Sequence, residues 1–108
     1  MIIIPTDSTG TLHEYAETVR LDGADYWLRF RWSMRIEAWF LSVYTSEGVA
    51  LVEGRMIVPG FDLFGRCVVQ GRPPGALFAA GADGSLEHPD LTGLGSRVQL
   101  YYREVSDL

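Results

Sequence analysis

The sequence contains no lysine, because all nine of its basic residues are arginine. Without lysine the chain can supply neither the amine of a phosphate-binding loop nor the amine of a Schiff-base enzyme. Acidic residues number 14, which gives a net charge of −5. A protein held mainly by nucleic-acid phosphates needs a positive surface, so this balance argues against that class.

Cysteine is almost as scarce, since Cys67 is the single example. One thiol can form no intramolecular disulfide and no thiolate zinc cluster, which fits a reducing compartment. Its apolar neighbours, Val68 and Val69, favour a small buried residue over an activated nucleophile. The apolar run Ile2–Ile4 is too short for a signal peptide or a membrane span. We therefore expect a soluble protein that is made and folded in a cytoplasm.

No stretch keeps the three-to-four-residue period of an amphipathic helix over a useful length. Short runs that alternate with period two are separated instead by glycine and proline turns, which is typical of strands. A length of 108 residues, of which 47% are hydrophobic, suits one domain over residues 1–108 with a single core. The sequence thus predicts an all-β fold, a small antiparallel β-barrel or β-sandwich of about six to eight short strands. Helix is expected at most as one short turn around Asp62 to Arg66.

Two glycine positions predict local geometry. Asp22-Gly23 is a dipeptide suited to the positive dihedral angles of a tight hairpin turn, so a strand should end at Leu21 and the chain should return after it. Gly54 interrupts the run "VALVEGRMIV", which predicts a strand with a bend or a bulge at that residue.

The stretch "YWLRFRWSMRIEAWFLSVY", residues 26–44, predicts a second hairpin that has one core face and one outward face. On the core face, the expected cross-strand pairs are Trp32 with Trp39, Phe30 with Leu41, and Leu28 with Val43. On the outward face, they are Arg31 with Phe40, Arg29 with Ser42, and Trp27 with Tyr44.

The outward face has three interpretations. Arginine, tryptophan and tyrosine are concentrated at the hot spots of protein interfaces. The same guanidinium and ring groups can also satisfy one another on an ordinary surface. A platform for single-stranded nucleic acid would use these residue types as well, although the acidic balance disfavours it.

No group of polar residues forms a catalytic or metal-binding pattern. The two histidines, His13 and His88, lie far apart, and neither has a neighbour at metal-ligand spacing. The turn "GADGS" offers too few oxygen ligands, from Asp83 and Ser85, for a calcium loop. No two carboxylates have a spacing that marks an acid/base couple. The segment "GRPPG" is either an extended recognition segment or a stiff connection. We expect no catalytic residue, no cofactor and no metal.

Five stretches follow one another in a specific order: "MIIIPTD", "LDGADYWLRFRW", "WFLSVYTSEG", "LVEGRMIVPGFDLF" and "LTGLGSRVQLYY". Each alone is a strand-and-turn pattern, but the ordered combination covers nearly all of the chain. In this combination the chain resembles the small baseplate plug-domain proteins of contractile-tailed phages, described in cyanophage tails and found among prophages. One departure is the turn "SMRIEA", which has neither the glycine nor the asparagine that relatives tend to carry there.

The resemblance implies a structural virion protein of the tail baseplate or hub, with a role in closing the tube until infection. It implies no catalytic residue and no cofactor; the partners would be other baseplate, hub or tube proteins, and a homo-oligomer is plausible in the assembly. The expected location is the virion tail baseplate, and the host bacterial cytoplasm during assembly. The alternative is a stand-alone β-barrel module that binds single-stranded nucleic acid or a small ligand.

Two regions are predicted to contact a partner. The first is the outward face of the hairpin, with Trp27, Arg29, Arg31, Phe40 and Tyr44. The second is the loop from Pro59 to Gly75, where we expect Phe61 and Phe64 to be exposed, because loops on rigid sheets often carry binding.

Overall fold

Strands are the regular elements in the described part of the chain, and no helix forms there. The computed structural model describes residues 2–7, 9–65, 73–81, 84 and 87–104. Within these ranges the strands are β1 (Ile2–Ile4), β2 (Glu14–Leu21), β3 (Ala24–Ser33), β4 (Ala38–Thr45), β5 (Ala50–Met56), β6 (Ala76–Gly81) and β7 (Val98–Arg103). The predicted all-β class is confirmed.

The strands form two antiparallel sheets that enclose one core. One sheet is a four-stranded meander in the order β2-β3-β4-β5, and the other is three-stranded in the order β1-β7-β6. Apolar side chains from both sheets belong to the same buried cluster, to which β3 and β4 contribute Leu28 and Leu41, and β7 contributes Leu100 and Tyr102. The architecture is therefore a small β-sandwich and not a closed barrel.

The alternation of β3 separates core from surface as predicted. Tyr26, Leu28 and Phe30 are buried, whereas Trp27 and Arg29 between them are exposed. Because successive side chains of a strand point to opposite faces, burial of one set places the other set outward. The strand β7 follows the same rule, with its buried residues at Val98, Leu100 and Tyr102.

The predicted register of the second hairpin is confirmed at every pair. Trp32 lies opposite Trp39, and their rings are 5.6 Å apart. Phe30 and Leu41 follow on the same face. Trp39 also donates its indole N–H to the Asp90 carbonyl at 3.2 Å, which fixes the large ring in the core.

The turns show how the backbone accommodates this meander. Asp22 and Gly23 have φ of 49° and 82°, the positive values that a tight two-residue hairpin turn requires. At the turn after β3, which lacks glycine and asparagine, Glu37 takes the left-handed conformation with φ of 59°. Its N–H donates to the Ser33 carbonyl at 2.7 Å. A residue with a side chain thus occupies a backbone conformation that glycine adopts at lower cost.

The predicted bulge at Gly54 is also confirmed. Leu41 pairs with Arg55 and Val43 pairs with Val52, so one residue of β4 lies opposite two of β5. Gly54 has φ of 61° and donates its N–H to the Ser42 hydroxyl at 2.9 Å. A hydroxyl on the neighbouring strand therefore satisfies a donor that the irregular ladder does not.

The loop after β5 is a turn and not a helix where it is described. Gly65 donates to the Asp62 carbonyl at 3.0 Å, and this closes a single turn. The predicted helical turn ends at Arg66, which lies outside the described residues, as does Cys67. Most of the predicted turn "GADGS", including Asp83 and Ser85, and the first two residues of "GRPPG" lie outside them too.

A tyrosine ties the two sheets together. Tyr102 of β7 donates its hydroxyl to the Asp22 carboxylate at 2.5 Å and accepts the Gly75 N–H at 2.8 Å. Asp22 stands at the tip of the β2–β3 hairpin, 80 residues away along the chain. A methyl group added at Gly75 would lie 2.1 Å from the Arg103 carbonyl, so glycine is needed for this close approach.

Candidate functional site

The outward residues predicted on β3 and β4 lie together on one face of the four-stranded sheet. Trp27 is paired with Tyr44, Arg29 with Ser42, and Arg31 with Phe40. We call Trp27, Arg29, Arg31, Phe40 and Tyr44 the outer strip. The antiparallel register of one hairpin brings all five together, as the sequence predicted.

The outer strip presents a large apolar group to solvent. Trp27 is 52% exposed. Phe40 and Tyr44, on the neighbouring strand, are half-buried. Trp27, Tyr44 and the turn after β4 line a hollow of about 290 Å³. An indole beside a concave surface of this kind is the arrangement that interface anchors use.

The charges of the outer strip are unevenly paired. Arg29 donates Nε to the Glu14 carboxylate at 2.8 Å, and a terminal N–H of the same guanidinium contacts the same oxygen. The hydrogen bond to Glu14 and the negative charge of that carboxylate, with a smaller contribution from Tyr44, raise the pKa of Arg29. Arg31 lies opposite Glu14 in register. Within the part of the chain that the structure describes, no carboxylate lies within ion-pair distance of Arg31.

A depression separates the two arginines from the bulge of β5. Its lining consists of Arg29, Arg31, Phe40, Ser42 and Gly54, and its volume is about 170 Å³. The guanidinium groups are the strongest donors around this depression because they are charged, whereas the Ser42 hydroxyl is neutral and accepts the Gly54 N–H.

The two phenylalanines of the predicted loop site have different environments. Phe61 is 66% exposed and lines a groove of about 540 Å³ together with Met56 and Val58. Met56 is paired with Phe40, so this groove begins beside the outer strip. The structure therefore places Phe61 on a groove that reaches the Phe40 end of the outer strip.

The expectation that Phe64 is exposed is wrong, because its side chain is completely buried in the core. The Asp62 carboxylate accepts the N–H groups of Phe64 and Leu77 at 3.0 and 3.2 Å. Leu63 also donates to the Leu77 carbonyl at 2.6 Å. These bonds fasten the loop to β6 and turn Phe64 inward.

A second aromatic group lies on the three-stranded sheet, and sequence reasoning did not recognise it as a site. Tyr101 stacks on Phe78 with ring centroids 5.8 Å apart, and the Arg103 guanidinium lies 5.7 Å from the Phe78 centroid. Ile3, which is 59% exposed, is paired with Tyr101. The alternation of β7 places Tyr101 and Arg103 outward, but their neighbours come from β1 and β6, whose pairing no local pattern indicates.

The remaining polar residues of the described ranges form no recognisable centre. His13 is exposed, and His88 lies with Nε2 3.1 Å from the Glu37 carbonyl. In the described ranges, no three histidine, cysteine or carboxylate side chains cluster as a metal site would need. Those ranges also hold no helix long and apolar enough to cross a membrane.

Comparison with known proteins gives one family. The family model described as "Cyanophage baseplate Pam3 plug gp18" matches residues 1–105. No curated protein matches the chain.

Proposed function

Since this chain belongs to the cyanophage baseplate plug family, and is thereby a structural component of a phage tail, we propose that it acts by binding neighbouring baseplate, hub or tube proteins through the outer strip. Phe61 extends this contact surface along the adjoining groove. The chain performs this role without catalysis and without a cofactor, in the tail of a phage or prophage.

The exposure of Trp27 is the observation that carries the proposal. An indole that is half exposed leaves apolar area in contact with water, and a partner that covers it gains the free energy of burying that area. Tryptophan, tyrosine and arginine together are the residue types that dominate binding energy at interfaces. The family membership supplies the class of partner, since a plug has its place among other baseplate proteins.

Retention of partners by the tagged chain tests the proposal. The chain is co-expressed with the baseplate, hub and tube proteins of the same phage, and what remains bound after a high-salt wash is identified. We expect a tail protein to be retained by the wild type and lost with Trp27→Ala. Met34→Ala is the matched control, because Met34 is 74% exposed on a turn outside the outer strip.

Two results would contradict the proposal. The first is that no tail protein is retained by the wild type although all are soluble in the same cells. The second is that the chain binds single-stranded oligonucleotides with a strong dependence on salt, which would favour the nucleic-acid alternative.

A further inference from the structure

We propose that the depression between Arg29 and Arg31 receives a carboxylate side chain of the partner tail protein. This inference rests on the proposed function, since it assigns the chemistry of the group that the outer strip binds. The occupant is an aspartate or glutamate of a different tail protein, and its neighbours on the partner cover Trp27 and Tyr44.

Donor capacity is the first argument for a carboxylate. Arg29 directs Nε and one terminal nitrogen to Glu14 and also hydrogen-bonds Tyr44, so only part of its five-donor fork is still available. Arg31 forms no ion pair with a described carboxylate. These two residues occupy alternate positions of β3, so their side chains leave the same face about 7 Å apart. A carboxylate placed between them can accept from both guanidinium groups.

The charge balance is the second argument. Glu14 is the one described carboxylate within ion-pair distance of Arg29, and no described carboxylate lies within that distance of Arg31, so one of the two guanidinium groups has no paired charge. The chain as a whole carries a net charge of −5. A positive patch on an acidic protein steers an acidic surface of a partner to one place and opposes contact elsewhere.

The shape of the site is the third argument. Phe40 forms an apolar wall, and a Cβ added at Gly54 would meet no atom within 4 Å, so the space above the bulge is open. A small anionic group fits a depression of about 170 Å³. Once the partner excludes water there, the attraction between the charges becomes stronger than it is on an open surface.

The absence of lysine permits a direct test with a carbodiimide. In Arg31→Lys, the new side chain is the only lysine amine in the chain. The reagent adds to an oxygen of the carboxylate and gives an O-acylisourea. The amine then attacks the acyl carbon and forms an amide bond, and the substituted urea leaves with that oxygen. Arg35→Lys is the matched control, because it introduces the same amine at an exposed position in the turn that follows β3.

The cross-link is sought in the complex retained by co-expression, and its position is read by peptide mass spectrometry. We expect Arg31→Lys to be linked to an aspartate or glutamate of the tail protein, and Arg35→Lys not to be linked to that residue. An internal link to Glu14 without any link to the tail protein would count against the inference. A link to a second copy of this chain, in place of the tail protein, would overturn the assignment of the occupant.

Binding by charge variants gives the second readout. We expect Arg31→Gln to weaken binding of the tail protein by roughly tenfold or more, and Arg31→Glu to weaken it further. Arg35→Gln makes the same change in net charge and should have little effect. If Trp27→Ala abolishes binding while Arg31→Gln and Arg31→Glu bind as the wild type does, the carboxylate inference is wrong and the proposed function stands. If the wild type retains no tail protein, both fail.

Discussion

Removal of the Tyr102 hydroxyl should destabilise the fold more than removal of any other single side-chain oxygen whose hydrogen bonds are given in Results. The hydroxyl donates to the Asp22 carboxylate and accepts a buried N–H from Gly75. Burial is the main cause that raises the pKa of Tyr102, and the hydrogen bond with Asp22 adds to it. The phenol therefore keeps its proton across the pH range in which the protein is handled.

The magnitude follows from the two hydrogen bonds. A hydrogen bond to a charged group contributes about 1.5 to 3 kcal/mol, and a buried N–H that loses its partner costs about 1 to 3 kcal/mol. The two losses share one oxygen and do not add fully, so we expect Tyr102→Phe to lower the free energy of unfolding by about 2 to 4 kcal/mol. For a domain of this length the midpoint of thermal unfolding should fall by roughly 8 to 16 °C.

Urea unfolding followed by tryptophan fluorescence measures this change. Tyr101→Phe is the matched control, because the same oxygen is removed from the adjacent residue, which points to the opposite face and is half-buried. Its stacking on Phe78 needs the ring and not the hydroxyl, so its effect should be within about 0.5 kcal/mol. If the two variants unfold at the same urea concentration, the tie between the sheets does not stabilise the protein as argued.

Three further outcomes follow from single side chains. Burial raises the pKa of Glu17, whose Oε1 has no hydrogen-bond partner among the described residues, so its ionised form opposes folding. The folded state then binds the proton more tightly than the unfolded state does. Glu17→Gln should therefore gain stability relative to the wild type as pH rises from about 4 to 7. A difference in urea midpoints that does not change with pH would exclude this cause. Phe64→Ala should cost about 3 to 5 kcal/mol and Phe61→Ala within about 0.5 kcal/mol, and equal effects in urea unfolding would contradict their assigned environments. Glu37→Gly should raise stability by about 0.5 to 1 kcal/mol in the same assay, because φ is positive there, and a loss would refute backbone strain at this turn.

The outer strip could be predicted because it depends on one hairpin. Side-chain alternation decides which residues of β3 and β4 share a face, and a short connection decides which of them are paired. Trp27 therefore could be placed beside Tyr44 from the sequence alone, and the structure has this pair. The turn at Asp22-Gly23 and the bulge at Gly54 are local in the same sense, because each follows from the conformational freedom of glycine.

The environment of Phe64 could not be predicted in this way. The neighbouring residues Phe61 and Phe64 have the same chemistry, and the loop has no period that separates an inward from an outward position. The Asp62 carboxylate accepts the N–H groups of Phe64 and Leu77, and these bonds hold Phe64 against the core while Phe61 stays exposed. The difference in exposure between Phe61 and Phe64 therefore depends on β6, because Leu77 lies 15 residues after Asp62 along the chain.

The sequence by itself determined the strands, the turns and the faces of the meander, since these follow from side-chain alternation and from backbone preferences within a few residues. Only the tertiary structure decided that β7 lies between β1 and β6, that Tyr101 and Arg103 meet Phe78, and that Tyr102 reaches Asp22. Contacts of this kind join segments that are distant along the chain. Many such pairings satisfy the same local pattern, and the one that forms is the one in which both sheets bury their apolar faces together.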